Sequence, residues 1–141
     1  MCVSPALEAE VKKWLPERVH SRMVCVPNGV DPSRFGPAEV DRLSRTAGGP
    51  RLLSVTALDD NKNPLVLLEA FDIVLQRHQD ATLTIVGDGP LKGLVEAWIR
   101  DRAPGKRVRL IGRQPREEIA RLMREECDLF VLSSRSETFG V

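Results

Sequence analysis

Three segments of this chain carry residue types that could do chemistry, and each points towards an anion or a polyol. Asp59-Asp60-Asn61-Lys62-Asn63 places a lysine immediately ahead of Pro64. A lysine beside a helix N-terminus acts as a point charge on a phosphate, supported by the free N–H groups and partial positive charge of the helix end. The same five residues also read as an ordinary solvated turn. Ser133-Ser134-Arg135-Ser136-Glu137-Thr138-Phe139-Gly140 offers a carboxylate that can accept hydrogen bonds from hydroxyl groups, beside a Phe-Gly backbone that can donate N–H groups to an anion. A plain polar loop would look alike. Gly87-Asp88-Gly89-Pro90 suggests a dinucleotide fingerprint, but the sixth place of G-x-G-x-x-G holds Lys92 where glycine or alanine is needed. It reads better as a tight turn feeding a helix, whose N-terminus still faces any nearby phosphate.

The elements that must position these segments are legible from about Pro50 onward. Leu52-Leu53-Ser54-Val55, Thr82-Leu83-Thr84-Ile85-Val86, Val108-Arg109-Leu110-Ile111 and Leu129-Phe130-Val131-Leu132 are short apolar runs, each predicted to be a buried strand. Helices fall between them. Asn63-Pro64 opens the first, with Leu67, Ala70, Phe71 and Val74 expected inward; Pro90 opens the second, with Leu91, Leu94, Val95 and Trp98; the third follows Pro115, with Ile119, Leu122 and Met123. Alternating strands and helices imply right-handed crossovers and an α/β, Rossmann-like, doubly wound parallel sheet. The expected strand order is 3-2-1-4, with ligand beyond the carboxyl ends of the strands, at the loops after Val55, Val86, Ile111 and Leu132.

Ahead of this region, Ser4 caps a helix whose first residue is Pro5. Leu7, Val11, Trp14 and Leu15 fall on one face, and the helix is predicted to end near Pro16. Met23 to Val26 reads as a short strand, followed by the turn Pro27-Asn28-Gly29. From there to about Pro50, little periodicity appears beyond the polar stretch Val40 to Ser44, so these residues read as a connector.

Composition narrows the function classes. In 141 residues, 42% hydrophobic, there is enough apolar material for a core, and 21 Lys plus Arg against 20 Asp plus Glu leave no basic excess for nucleic acid. Cys2, Cys25 and Cys127 are scattered, without a CxxC pair or histidines at ligand spacing, which argues against a zinc site or disulfide framework and fits a reducing cytoplasm. No apolar run approaches the roughly 20 residues needed to span a bilayer. Any membrane contact is therefore expected to be peripheral.

Taken in order, these segments resemble the retaining glycosyltransferases of the two-domain GT-B type, glycosyltransferase group 1 or family 4. Val26-Pro27-Asn28-Gly29-Val30-Asp31, with Phe35 following, is similar to the family's interdomain connector, and Val55 through Asn63 to its diphosphate loop. Thr84 through Pro90 is similar to its second strand and turn, Ile111-Gly112 to its third strand end, and Cys127 through Gly140 to its donor-sugar loop. The resemblance implies the end of an acceptor-side domain over residues 1–27, a connector over 28–50 and a partial nucleotide-sugar-binding domain over 51–141. It implies transfer of a hexose-like unit from a UDP-, GDP- or ADP-sugar, with retention, to a carbohydrate or lipid-linked acceptor. No cofactor or metal is implied.

Residue by residue, Lys62 matches the lysine that holds the donor diphosphate, and Glu137 the first glutamate of E-x7-E, which contacts the transferred sugar. Thr138, Phe139 and Gly140 lie in the same donor loop, the last two matching its backbone donors, and Gly112 with Arg113 lies where a loop approaches the base. Departures are visible. Thr56-Ala57 stands where Gly-Arg is usual, so a second diphosphate cation is missing unless Arg135 or Arg113 replaces it, and Ser133 stands where proline is frequent. The second glutamate would fall beyond Val141 and most of the acceptor domain is absent, so the chain reads as a fragment, inactive alone, with any membrane association coming through the missing domain on the cytoplasmic face. Two alternatives stand beside this: a non-catalytic nucleotide-binding or interaction module, and a small dehydrogenase half, which the misplaced Gly87-x-Gly89 disfavours.

Overall fold

The computed structural model describes residues 1–36, 48–102 and 107–137. The chain separates into two compact units, Pro32–Arg135 and Met1–Asp31 with Ser136–Val141.

In the larger unit, β1 (Arg51–Val55), β2 (Thr82–Val86), β3 (Val108–Leu110) and β4 (Leu129–Phe130) form a parallel sheet in the order β3-β2-β1-β4. This is the expected topology. β1 and β2 pair along their whole length, from Arg51 opposite Thr82 to Val55 opposite Val86, whereas β4 pairs with β1 only at Leu129 and Phe130. The intervening helices are α2 (Pro64–Arg77), α3 (Lys92–Arg102) and α4 (Arg116–Glu125).

Strand alternation sends apolar side chains to both faces of the sheet, and the core divides accordingly. Leu52, Leu83 and Ile85 meet Leu67, Leu68 and Phe71 of α2 and Val95 of α3 in one cluster. Leu53 and Val86 meet Leu122 of α4 and Cys127 in the other. Helices thus cover both faces, as a doubly wound sheet requires.

Several finer expectations are corrected. Ala70 and Leu94 face solvent; in α2 the inward position is taken by Leu68, which is fully buried. The other three expected positions of α2, Leu67, Phe71 and Val74, do pack against the core, and Leu68 widens that face. Pro90 and Leu91 form a turn and α3 begins at Lys92. β4 is not a buried strand: Leu129 and Phe130 are 55% and 43% exposed, because the strand lies at the end of the order, beside β1 alone.

The smaller unit opens as expected, with Ser4 Oγ accepting the Leu7 N–H at 3.1 Å at the start of α1 (Pro5–Lys12). The helix is shorter than predicted. Lys13 is its C-cap, Trp14 is 81% exposed, and a 3-10 helix follows over Glu17–Arg22. Met23 to Val26 forms no strand, only an isolated parallel bridge between Cys25 and Cys2. The polar stretch Val40 to Ser44 lies outside the described residues.

Candidate functional site

The carboxyl ends of β1, β2, β3 and β4 are joined to one another by loop backbone. Past β1, Thr56 N–H donates to Val86 O at 2.9 Å and Leu58 N–H to Asp88 O at 3.1 Å, while Leu91 N–H returns to Leu58 O at 2.9 Å. Leu58, wholly buried, anchors the loop from below. Gly87 and Gly89 exist to permit this approach. A Cβ on Gly87 would lie 1.8 Å from Thr56 O, and one on Gly89 2.5 Å from Leu58 O. The Gly-Asp-Gly segment therefore seats the β2 loop on the β1 loop, as a tight turn would, and the fingerprint geometry is not needed to explain it.

The β3 loop joins through Gly112, whose carbonyl accepts the Gly87 N–H at 2.9 Å. Gly112 sits at φ +70°, a conformation that a side chain would strain although the space beside it is open. Arg113, next to it, is exposed.

Lys62 occupies the turn between β1 and α2. Its N–H donates to Asp59 Oδ1 at 2.9 Å, and Asn63 N–H donates to Asp59 O at 3.0 Å. Asn63 then takes the left-handed conformation, φ 49° and ψ 54°, which asparagine tolerates better than most residues, and Pro64 begins the helix. The loop after β4 closes over this turn: Ser133 Oγ lies 2.8 Å from Lys62 O and 3.0 Å from Asn63 O, and Arg135 N–H donates to Asn61 O at 2.7 Å. The backbone of Lys62 is thus held from both sides. Sequence reasoning missed this role for Ser133, noting it only as a replacement for proline; a proline there could not make the contact. Ser134 Oγ, buried in the same loop, has no hydrogen-bond partner among the described residues.

The structure accordingly brings Lys62, Gly112 and the backbone of Arg135 to the carboxyl ends of the strands, with Arg113 beside them in sequence. Glu137 is exposed and belongs to the smaller unit. Thr138, Phe139 and Gly140 lie outside the described residues. Ala57, at the position where the resemblance implies a second cation, is exposed. Among the described residues no group of three or more His, Cys, Asp or Glu side chains is placed to hold a metal ion, and no helix is long and apolar enough to cross a membrane.

Residues 38–141 match the family model for glycosyl transferases group 1. The chain belongs to that family. It is similar to an amylovoran biosynthesis glycosyltransferase, AmsK, of Erwinia amylovora, with 33% identity over 79% of this chain and 26% of that protein. Among solved structures it resembles Anabaena HepE in complex with UDP and glucose, with a TM-score of 0.74 at 19% identity over 97% of this chain and 38% of the other. The C-terminal domain of a group 1 family protein, LpcC, from Francisella tularensis superposes with a TM-score of 0.63 at 24% identity, over 77% of this chain and 60% of that one. These likenesses establish the Rossmann-like, GT-B-type fold. The chain spans between 26% and 32% of the length of the curated relatives it matches.

Proposed function

We propose that this chain is part of a retaining, family 4 glycosyltransferase and supplies donor-side elements that hold a nucleotide sugar, with residues 51–141 as a partial donor-binding domain. The observation that carries this is the Lys62 turn. It stands at the carboxyl end of β1, at the head of a helix opened by Pro64, and is bound on its far side by the loop after β4. Ligands of doubly wound sheets collect beyond those strand ends. The donor is a UDP-, GDP- or ADP-hexose, a class consistent with the UDP and glucose named in the HepE structure. Ser134 Oγ adds a buried hydroxyl for which a ligand oxygen is a suitable partner.

In the proposed reaction, Lys62 balances charge on the diphosphate as the bond to the sugar breaks, which stabilises the leaving group more in the transition state than in the ground state. Glu137 orients the sugar by accepting hydrogen bonds from its hydroxyls; Gly112 and Arg113 border the base; Thr138, Phe139 and Gly140 line the donor loop, the last two offering backbone N–H groups. No resident metal or cofactor takes part. Arg135, whose backbone is tied to Asn61 beside Lys62, or Arg113 supplies the second cation. A carbohydrate or lipid-linked acceptor enters from a separate domain in a longer protein, which works in the cytoplasm with any membrane association peripheral.

A turnover assay on the protein that carries this segment tests the proposal, with UDP-, GDP- and ADP-hexoses as donors and NMR of the product's anomeric centre. Product with the donor's anomeric configuration is expected, and Glu137→Gln should lower turnover while sparing free nucleotide affinity. Inverted product removes the retaining assignment. Nucleotide binding without transfer to any carbohydrate or lipid-linked acceptor favours a non-catalytic nucleotide-binding module, the reading to which Ala57 lends weight.

A further inference from the structure

The cysteines that look scattered in the sequence are not all scattered in space. Cys2 and Cys25 are the paired residues of an isolated parallel bridge in the smaller unit. Cys2 N–H donates to Val24 O at 2.9 Å and Val26 N–H donates to Cys2 O at 2.8 Å, so Cys2 is hydrogen-bonded on both sides of Cys25. Adjacent strands run about 4.8 Å apart, and residues paired across them project from the same face. A disulfide asks for Cα atoms roughly 4.4 to 6.8 Å apart with side chains that converge. Residues paired in such a bridge fall within that spacing. Both thiols are free in the structure; Cys2 is buried and Cys25 half-buried. The third thiol, Cys127, is buried in the α4-side core of the other unit.

We propose that Cys2 and Cys25 form a reversible redox pair, closed to a disulfide by a small-molecule disulfide such as oxidised glutathione and reopened by its thiol. Cys25, the more accessible of the two, attacks as thiolate on one glutathione sulfur. One glutathione thiolate leaves and a mixed disulfide remains on Cys25. The Cys2 thiolate then attacks the Cys25 sulfur and expels the second glutathione. The two protein thiols give up two electrons and two protons in all, and one glutathione disulfide becomes two thiols. The new bond ties the N-terminal residue pair to the segment before Pro27 and encloses α1 and the 3-10 helix in a covalent loop.

A buried cysteine is also an ordinary small apolar residue, and the test separates the two roles. The full chain is equilibrated in glutathione buffers of increasing oxidised fraction, quenched in acid, alkylated and digested with trypsin without reduction. The expected product is one intramolecular cross-link joining the peptide Met1–Lys12 to the peptide Met23–Arg34, reversed by excess reduced glutathione, with Cys127 alkylated throughout. In Cys25→Ser the cross-link should vanish while Cys2 stays alkylatable. Three results would overturn the pairing: both thiols remaining alkylatable in the most oxidising buffer, a stable glutathione adduct on Cys25 beside a free Cys2, or cross-links that reach Cys127 as readily.

Discussion

The two ends of β1 are built by different means, a salt-bridged side chain at one and loop backbone at the other. At its start, Arg51 grips Asp128 at the entry to β4: Nε and Nη2 donate to the two carboxylate oxygens at 3.2 and 2.8 Å, and Nη1 reaches Glu125 O at 2.7 Å. The backbones are paired there too, with Asp128 N–H on Arg51 O at 2.8 Å. The Asp128 carboxylate, through this hydrogen bond, raises the Arg51 guanidinium above its already high range. At the other end of β1, backbone amides, an aspartate oxygen on the Lys62 N–H and a serine hydroxyl on two carbonyls join the loops. A salt-bridged arginine is committed to structure. The loops past the other end have their geometry set through backbone hydrogen bonds.

The largest effect is expected at the joint between the β1 and β2 loops. Gly87→Ala forces a Cβ to within 1.8 Å of Thr56 O at φ +148°, so the two loops must part. A loss of about 3 kcal/mol or more in urea denaturation is expected. Gly93→Ala, in α3 with open space around it, should instead be neutral or stabilising by up to about 1 kcal/mol. Should Gly87→Ala unfold like the parent, the loops are not packed as described.

Arg51→Ala comes next. It strips a bidentate, partly buried pair whose side chains are 21% and 29% exposed, and should cost about 1 to 3 kcal/mol in the same measurement while leaving nucleotide affinity unchanged. Ser133→Ala removes the hydroxyl that ties the β4 loop to the Lys62 turn. Here about 1 kcal/mol of stability is expected to go, together with a several-fold loss of nucleotide affinity as the turn loosens. Stability lost with affinity intact would detach the β4 loop from the proposed site.

The smallest effect is electrostatic. Hydrogen bonds from Arg109, and then from Arg121, hold the Glu126 carboxyl below the ordinary 4.5. A lowered folded pKa stabilises the protein above the unfolded value, and that contribution is lost as pH falls through the lower, folded one. Glu126→Gln should therefore cost less than about 1 kcal/mol near neutral pH, and the gap from the parent should close in acid unfolding experiments below pH 4.5.

The parts of the fold that were legible from sequence are those carried by local pattern. Thr82–Val86 is a strand in full because its apolar run is buried between two neighbours, and Ser4 with Pro5 begins a helix because both satisfy its first turn. Leu129–Leu132 has the same apolar character as Thr82–Val86, yet only Leu129 and Phe130 pair, since neighbours belong to topology and not to the run itself. Ala70, Leu94 and Trp14 show the limit of periodicity: a stripe gives the face of a helix to within about one position, and tertiary contact decides the rest. At the candidate site the lysine, the glycines and the turn were readable as chemistry. The hydroxyl of Ser133 on the Lys62 turn and the bridge between Cys2 and Cys25 were not, because both join residues whose nearness exists only after folding.

The central claim is that the Lys62 turn holds a nucleoside diphosphate. Calorimetric titration of UDP and GDP into the protein that carries this segment, beside its Lys62→Ala and Arg51→Ala variants, tests it most directly. A charge-assisted contact of about 1.5 to 3 kcal/mol translates into a tenfold to hundredfold weaker Kd for Lys62→Ala, against an unchanged Kd for Arg51→Ala. Equal affinities for the parent and Lys62→Ala would contradict the account and leave Lys62 an ordinary turn residue.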